Sequence, residues 1–177
     1  MYISLEKAII FLKLEINKLE NKEQKVVEKD TYLREKYDLY TPLKGVGIMT
    51  FAVIVGETNG FTLFNNQKQL VCYAHYDIIQ NQSGQRHGKT RISKKGNTQI
   101  RIILHMSSLS AVNNEIPVLK NIKGRVFDRT AIKMKESVAV QRKMLVLMYT
   151  LWKKNETFYS IFGISSIQES KPLCSVL

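Results

Sequence analysis

Along the first 38 residues an apolar side chain recurs in alternating steps of four and three, which is the spacing of a coiled-coil seam. The seam consists of Leu5, Ile9, Leu12, Ile16, Leu19, Val26, Leu33 and Tyr37. Glu23 and Asp30 fall on two further seam positions and interrupt it. A helix that is polar on its other faces must pack on a partner to be stable. We therefore expect residues 4–38 to form a helical arm, bent near Asn21-Lys22, that docks on the body or on a second copy. An ordinary surface helix fits the same pattern.

The net charge is confined to the part of the chain that follows this arm. Residues 1–40 hold eight Lys/Arg and eight Asp/Glu, whereas residues 41–177 hold nineteen and seven and carry the whole net charge of +12. A basic body indicates a polyanionic partner, and nucleic acid is the commonest one. No membrane partner is expected, because the chain has no run of about 18 apolar residues and no lipidation signal.

Cysteine usage and the N-terminal sequence bear on the compartment. Cys72 and Cys174 are too few and too far apart for a disulfide framework or a zinc site. The first residues do not read as a signal peptide, because Glu6 and Lys13 flank and break the short apolar patch. We expect a cytoplasmic protein.

Residues 82–97 combine a Ser-Gly step, several cations and three glycines. No Asp or Glu occurs between Asp77 and Glu115, so the local potential is positive. Glycine accepts a positive φ and lets backbone N–H groups approach an anion. The residues expected to contact nucleic acid here are Arg86, His87, Lys89, Arg91, Lys94, Lys95, Asn97 and Arg101. For His87 a phosphate contact is favoured over a role as a base, and a solvated basic loop fits the same composition.

A second candidate contact lies at residues 43–47, which read apolar-x-Gly-apolar-Gly before an amphipathic run. This pattern resembles the hairpin of a helix-hairpin-helix, in which a glycine turn and the next helix N-terminus present N–H groups to a DNA phosphate. Lys44, Gly45 and Gly47 are therefore candidate DNA contacts. A simple helix start fits the Gly-x-Gly as well, and Phe51 stands where the motif usually has a small residue.

The remaining periodicity predicts further helices. One is capped by Asn65 or Asn66 and ends at Tyr73, and another is capped by Asn97 and runs to about residue 112. A third begins near residue 116 and ends at Gly124, and a long one covers residues 132–152. The side chains expected in the core include Leu63, Phe64, Leu70, Val71, Ile100, Ile103, Leu104, Leu109, Met134, Met144 and Met148. Strand signals are limited to a small hairpin near residues 90–92.

These patterns predict a mainly α fold. A long helical, coiled-coil arm at residues 1–39 precedes a compact helical domain at residues 40–156. That domain contains the helix-hairpin-helix-like element and the basic loop or small hairpin. Residues 157–177 are Ser-rich and without a clear period, so a disordered tail is expected there.

Several short motifs, in their order and spacing, resemble one family. They are Gly45-Val46-Gly47, Glu57, Phe61, residues 69–74, Gln82-Ser83-Gly84, residues 92–97 and Arg101. The family is that of the Piv-type DEDD transposases of insertion sequences, the IS one-ten family, whose members are guided by a bridge RNA. The resemblance covers roughly residues 40–155, and the arm is similar to the coiled-coil segment that joins the family's two catalytic parts. His75 departs from the family's usual glycine and Ile78 from its usual proline.

The resemblance implies DNA transposition by recombination, with DNA and a guide (bridge) RNA as partners. It places the nucleophilic serine on Ser83, within the Ser-Gly step. The family's RuvC-like domain with four acidic metal ligands has no counterpart here. We therefore expect a C-terminal fragment with no cofactor of its own, magnesium only together with that domain, and no turnover by the fragment alone.

Two readings of the arm and of the activity stay open. The arm could join a second copy or an intact transposase. The alternative function is a non-catalytic helix-hairpin-helix module that binds DNA or RNA and regulates an intact transposase.

Overall fold

The computed structural model of the chain describes residues 2–79, 82–88, 91–93, 95–114 and 116–158, with the backbone alone at residues 2–4, 82, 86, 87 and 91. Seven helices and four two-residue strands follow one another in these residues. The elements are α1 (Tyr2–Lys29), α2 (Thr31–Asp38), α3 (Ile48–Thr58), α4 (Gln67–Tyr73), β1 (Ile78–Ile79), β2 (Gln82–Ser83), β3 (Arg86–His87), β4 (Arg91–Ile92), α5 (Thr98–Asn113), α6 (Pro117–Thr130) and α7 (Lys133–Lys154). The predicted mainly α fold is confirmed. Of the tail predicted at residues 157–177, residues 159–177 lie outside the described part, while Phe158 is buried.

The arm is a single helix up to Lys29, and the break comes at Asp30 instead of near Asn21-Lys22. The Asp30 carboxylate accepts the backbone N–H groups of Tyr32 and Leu33 at 2.9 and 3.2 Å. A carboxylate that satisfies the free N–H groups of a new helix start favours ending the previous helix at that point. The bend predicted at Asn21-Lys22 is therefore wrong, because the helix is unbroken there.

The two helices of the arm relate differently to the rest of the chain. In α1 the seam residues from Leu5 to Leu19 are each between 51% and 58% exposed. In α2, Tyr32 packs edge-on against the Trp152 ring, with ring centroids 6.0 Å apart, and Lys36 Nζ donates to Asn155 Oδ1 at 2.8 Å. The α2 helix is thus held by the body, whereas the first part of α1 offers an uncovered apolar stripe.

The core lies between α3, α5 and α7, with an aromatic cluster at its centre. The Phe51 ring lies between Tyr40 and Trp152, at centroid distances of 5.5 and 6.2 Å. The Tyr40 hydroxyl donates to the Met148 carbonyl at 2.8 Å, and burial raises the pKa of Tyr40. A bulky aromatic at position 51, unusual for the helix-hairpin-helix pattern, is explained by this packing.

Most of the predicted core is buried, and three positions are wrong. Leu63, Leu109 and Met134 are 62%, 43% and 68% exposed. Leu63 lies in the turn that precedes α4, Leu109 lies on the face of α5 opposite its buried residues, and Met134 lies in the first turn of α7. Helical spacing identified these residues as apolar but did not show which face of each helix is covered.

The α6 helix does not end at Gly124, as predicted, but continues to Thr130. A glycine ends a helix when it takes the left-handed conformation just past the last turn. Here that conformation belongs to Ala131, with φ of 51°, and Gly124 is simply an exposed position within the helix. The half-buried Val126 continues the packed side of α6 beyond the glycine.

Candidate nucleic-acid interface

The four strands form two antiparallel ladders, one nested within the other; we call them the basic hairpin. In the outer ladder β1 pairs with β4, and Ile78 lies opposite Ile92. In the inner ladder β2 pairs with β3, and Ser83 lies opposite Arg86. Gly84 and Gln85 form the two-residue loop between them, and the φ of Gly84 is 56°, as the favoured hairpin turns require at that position.

Ser83 lies at the tip of this hairpin, directly before the turn. Its side chain is exposed, and its hydroxyl has no hydrogen-bond partner among the described residues. The backbone of Arg86 faces it across the inner ladder. The serine that the family resemblance singles out is therefore presented to solvent, beside a cationic residue.

The base of the hairpin is fixed to the segment that follows α4. The Ser93 N–H donates to the Asp77 carbonyl at 3.3 Å, and the Asn97 N–H donates to the Tyr73 carbonyl at 3.2 Å. The His75 ring nitrogen Nδ1 is hydrogen-bonded to the Ser93 hydroxyl. These contacts join the two ends of the basic hairpin before its strands leave the body.

His75, the departure from the family's usual glycine, adopts a φ of 52°. This left-handed conformation is the one that glycine takes most readily, although histidine tolerates it better than most residues do. The backbone at this position thus has the shape that suits glycine. Gly96 packs against it so closely that a Cβ on Gly96 would overlap the His75 ring and the Tyr73 carbonyl oxygen.

Asn97, predicted as a nucleic-acid contact, uses its side chain within the body. Its Oδ1 accepts the Ile100 N–H at 3.1 Å and so caps α5, as the sequence predicts. Its Nδ2 donates to Glu57 Oε2 at 2.5 Å and to the Tyr73 hydroxyl at 3.3 Å. The side chain therefore ties the start of α5 to the end of α3.

Arg101, another predicted contact, also supports the hairpin base. Its guanidinium donates to the Ala74 carbonyl at 3.0 Å and to the Thr98 hydroxyl at 3.1 Å. The neighbouring Tyr76 hydroxyl is buried and donates to Gln141 Oε1 at 3.1 Å. Burial raises the pKa of Tyr76, and the nearby Arg101 charge opposes this rise.

The other predicted hairpin residues are distributed along the strands. The backbones of Arg86 and His87 form β3, and that of Arg91 lies in β4 opposite Ile79. Lys95 is exposed just after the hairpin. Lys89 and Lys94 lie outside the described residues.

The turn at residues 43–47 holds its two glycines in different surroundings. Gly45 has a φ of 104°, and a Cβ there would lie 2.6 Å from the Ser107 carbonyl oxygen and 2.8 Å from the Ala111 nitrogen. Gly47 begins α3 without a side-chain cap and has open space beside it. Lys44 is exposed. Gly45 thus serves the close packing of the turn on α5, while Gly47 leaves the N-terminus of α3 accessible to an anion.

The turn and the basic hairpin lie at opposite ends of α5. The turn packs near Ser107 and Ala111, whereas the hairpin leads into α5 at Thr98. At about 1.5 Å per residue, these points are roughly 14–20 Å apart along the helix. The two predicted contact elements are therefore not one local site, and both must be engaged by something extended.

Sequence reasoning did not assign roles to Glu57, Tyr73 or Ser93, which form the base of the hairpin. The Glu57–Asn97 contact joins residues 40 positions apart, and the His75–Ser93 contact joins residues 18 apart. The only available signal was the presence of Glu57 among the motifs that resemble the family. No local pattern predicts such long-range polar partners.

Cys72 lies beside the hairpin base. A hydrogen bond to the Asp77 carboxylate, reinforced by that group's negative charge, raises the pKa of the Cys72 thiol. Groups of three or more His, Cys, Asp and Glu side chains that could hold a metal do not occur among the described residues. Within the same ranges, no helix is both long enough and apolar enough to cross a membrane.

Comparison with protein families adds to this geometry. Residues 38–122, just under half of the 177-residue chain, match the model of the transposase IS116/IS110/IS902 family. The match supports an IS110-family transposase. The matched region of this transposase begins at the end of α2 and ends within α6, so it contains both the turn and the basic hairpin. It supports a role in DNA transposition, with DNA as the partner. A search of curated proteins found no match.

Proposed function

We propose that this chain binds DNA through the basic hairpin, and that Ser83 is the nucleophile for strand exchange once a metal-bearing RuvC-like domain joins it. The observation that carries the proposal is the position of Ser83. It is exposed at the tip of a hairpin whose base is fixed by the Asn97 and His75 contacts. It also lies within the region that matches the transposase family.

In the proposed reaction the Ser83 oxygen attacks a phosphodiester phosphorus. An Oγ–P bond forms and a P–O bond to deoxyribose breaks, so the serine proton leaves and the released sugar oxygen gains one. The phosphoserine ester keeps the energy of the broken bond, and a sugar hydroxyl of another strand can attack it to restore the phosphodiester. Two reversible steps thus replace one direct exchange.

The cations of the hairpin would stabilise the charge that develops on the five-coordinate phosphorus. Arg86 is the nearest along the inner ladder, with Arg91 and Lys95 nearer the base. The turn with Lys44 and Gly47 would add a second phosphate contact through the uncapped N-terminus of α3. Because the two elements are roughly 14–20 Å apart by the helix rise, we propose that they contact different phosphates of one DNA.

The base and the metal belong to the partner domain in this proposal. The described residues contain no acidic cluster that fits magnesium, so no step is routed through a metal here. A serine hydroxyl is a poor nucleophile near neutral pH without such help. The chain alone is therefore expected to bind DNA without turnover, and a guide RNA is proposed to join the complete assembly.

The exposed stripe on α1 supports a proposed contact with a second copy or with an intact transposase. Its seam residues are more than half exposed, although α2 and the end of α1 are packed on the body. Removing residues 1–22 should therefore lower the oligomeric state and leave the core intact, because Val27, the first buried core residue, is retained. Sedimentation of the two proteins tests this, and equal masses would contradict it.

The decisive test for Ser83 is a covalent adduct. The chain is combined with the acidic domain of an intact family member, a bridge RNA, target DNA and magnesium, and the products are denatured. An adduct is expected with the natural chain and with the control Ser110→Ala, which removes an exposed serine of α5. It should be absent with Ser83→Ala. An adduct that persists in Ser83→Ala would remove the assignment.

The alternative is a non-catalytic binding module. It is favoured by one observation, namely that the Ser83 hydroxyl has no hydrogen-bonding base among the described residues. It predicts normal DNA binding but no adduct with any variant, even when all the other components are supplied. The adduct experiment separates the two functions.

A further inference from the structure

More than half of the net charge lies outside the region that matches the transposase family. Residues 123–154, which begin just after that region, hold nine Lys/Arg and two Asp/Glu and so carry +7 of the chain's +12. The cations are Lys123, Arg125, Arg129, Lys133, Lys135, Arg142, Lys143, Lys153 and Lys154. This charge is displayed by α6 and α7 and is separate from the basic hairpin.

These cations are not neutralised within the chain. The only ion pair between described side chains joins Lys18 and Glu15 of the arm. Arg125 and Arg129 donate their Nε–H groups to carbonyl oxygens of their own helix, which leaves their charge uncompensated. A surface with this many unpaired cations produces a strong positive potential.

Three of the cations form a line on the outer face of α7, which we call the α7 stripe. Lys135, Arg142 and Lys153 are seven and eleven residues apart, so at 3.6 residues per turn they lie within about 20° of one another around the helix. All three are exposed, while the apolar side of α7, with Met144 and Met148, is buried. At about 1.5 Å per residue the stripe is roughly 27 Å long.

The α7 stripe passes the base of the basic hairpin. Arg142 lines an open cleft together with Lys68 of α4 and with Asp77, the residue that precedes β1. Lys153, at the far end, lies over the Tyr149 ring at 5.7 Å from its centroid. A polyanion held at the hairpin base would therefore meet a continuing row of cations along α7.

We propose that the α7 stripe binds the phosphate backbone of a nucleic acid and extends the contact that the basic hairpin makes. Its length of roughly 27 Å corresponds to about eight base pairs, at 3.4 Å per nucleotide along a strand. A bilayer is a poorer fit, because a helix that lies on a membrane must expose its apolar side, and that side of α7 is buried. The inference rests on the proposed nucleic-acid partner but not on the chemistry of Ser83.

The test compares two full-length triple variants of equal charge. One carries Lys135→Gln, Arg142→Gln and Lys153→Gln on the stripe. The control carries Lys7→Gln, Lys22→Gln and Lys25→Gln on the exposed side of α1. Binding to DNA and RNA duplexes of one length is measured against salt, and unfolding is checked to confirm that both variants fold.

For the stripe variant, the slope of log affinity against log salt should become shallower by about 2–3, following about 0.9 for each lost phosphate contact. The control should keep the natural slope. A change confined to the DNA or to the RNA identifies the source of the backbone and supports the proposal in either case. An unchanged slope with both nucleic acids overturns it.

Two further arms keep the result specific. If vesicles of phosphatidylcholine and phosphatidylserine bind the natural chain but not the stripe variant, while nucleic-acid binding is unchanged, the stripe is a membrane surface and the proposal is wrong. Arg91→Ala with Lys95→Ala tests the hairpin separately. Loss of binding in that variant alone removes the α7 stripe and leaves the proposed function standing, whereas loss in the stripe variant alone does the reverse.

Discussion

The turn at Gly45 and the tip of the basic hairpin at Gly84 present the same sequence signal for different physical reasons. Both glycines have a positive φ and both lie near lysine or arginine. Gly45 is packed against the backbone of α5, whereas a Cβ on Gly84 would meet nothing within 4 Å. The comparison teaches that a glycine beside a cation can mark either close packing of elements or a tight exposed turn. The two cases predict different responses to mutation.

The largest effect is expected for Gly45→Ala. The added Cβ would lie 2.6 Å from the Ser107 carbonyl oxygen, in a backbone conformation that alanine disfavours. Overpacking typically destabilises by about 1–3 kcal/mol, and the left-handed conformation adds about 1–2 kcal/mol. We expect a loss of about 2–4 kcal/mol in the free energy of unfolding, measured by urea denaturation.

The matched variant Gly84→Ala meets only the conformational penalty and should lose about 1–2 kcal/mol at most, because the space beside it is open. Gly47→Ala, also in open space and with an ordinary φ, should lose less than about 1 kcal/mol. If Gly45→Ala proves no more damaging than Gly84→Ala, the distinction between a packing glycine and a turn glycine is wrong.

The next effect concerns the base of the hairpin. Asn97→Ala removes the cap of α5 and the contacts with Glu57 and Tyr73, so the free energy of unfolding should fall by about 1–3 kcal/mol. Asn121→Ala, an exposed asparagine of α6, provides the control and should change it by less than about 0.5 kcal/mol. Equal effects of the two would show that the side-chain network of Asn97 does not hold the base.

Asn97 also shows how far sequence reasoning can go. Its cap of α5 is predictable because capping is a local interaction over three residues. Its contact with Glu57 is not, because only the packing of α3 against α5 brings the two together. The small hairpin near residues 90–92 was likewise predictable from local signals, whereas the exposure of Leu109 depended on which helices cover α5. The tip position of Ser83 follows from pairing in the inner ladder and was not predicted.

DNA binding should distinguish the cations of the hairpin from Ser83. With about six phosphates neutralised, log affinity for duplex DNA should fall against log salt with a slope of roughly −5. Arg91→Ala should make that slope shallower by about one unit. Ser83→Ala should keep affinity within about threefold, because one neutral hydrogen bond contributes at most about 0.5–1.5 kcal/mol. A slope near zero in the natural chain would exclude the nucleic-acid partner.

The smallest effect concerns Cys72 at the hairpin base. The hydrogen bond to Asp77 and the charge of Asp77 raise the thiol pKa, so less thiolate is present near neutral pH. In a chain with Cys174→Ser, the change Asp77→Asn should lower that pKa and speed the reaction of Cys72 with a disulfide reagent. Asp38→Asn, an exposed acid in α2, is the control. Equal rates in the two variants would mean that Asp77 does not control the thiol.

The central claim is that chemistry takes place at the hairpin tip and not at its base. The most direct measurement is to digest the protein–DNA adduct with nuclease and protease and to locate the remaining nucleotide by mass spectrometry. The account predicts the modification on Ser83, in the exposed position opposite Arg86. A nucleotide attached to Ser93, the serine that His75 holds at the base, would contradict it.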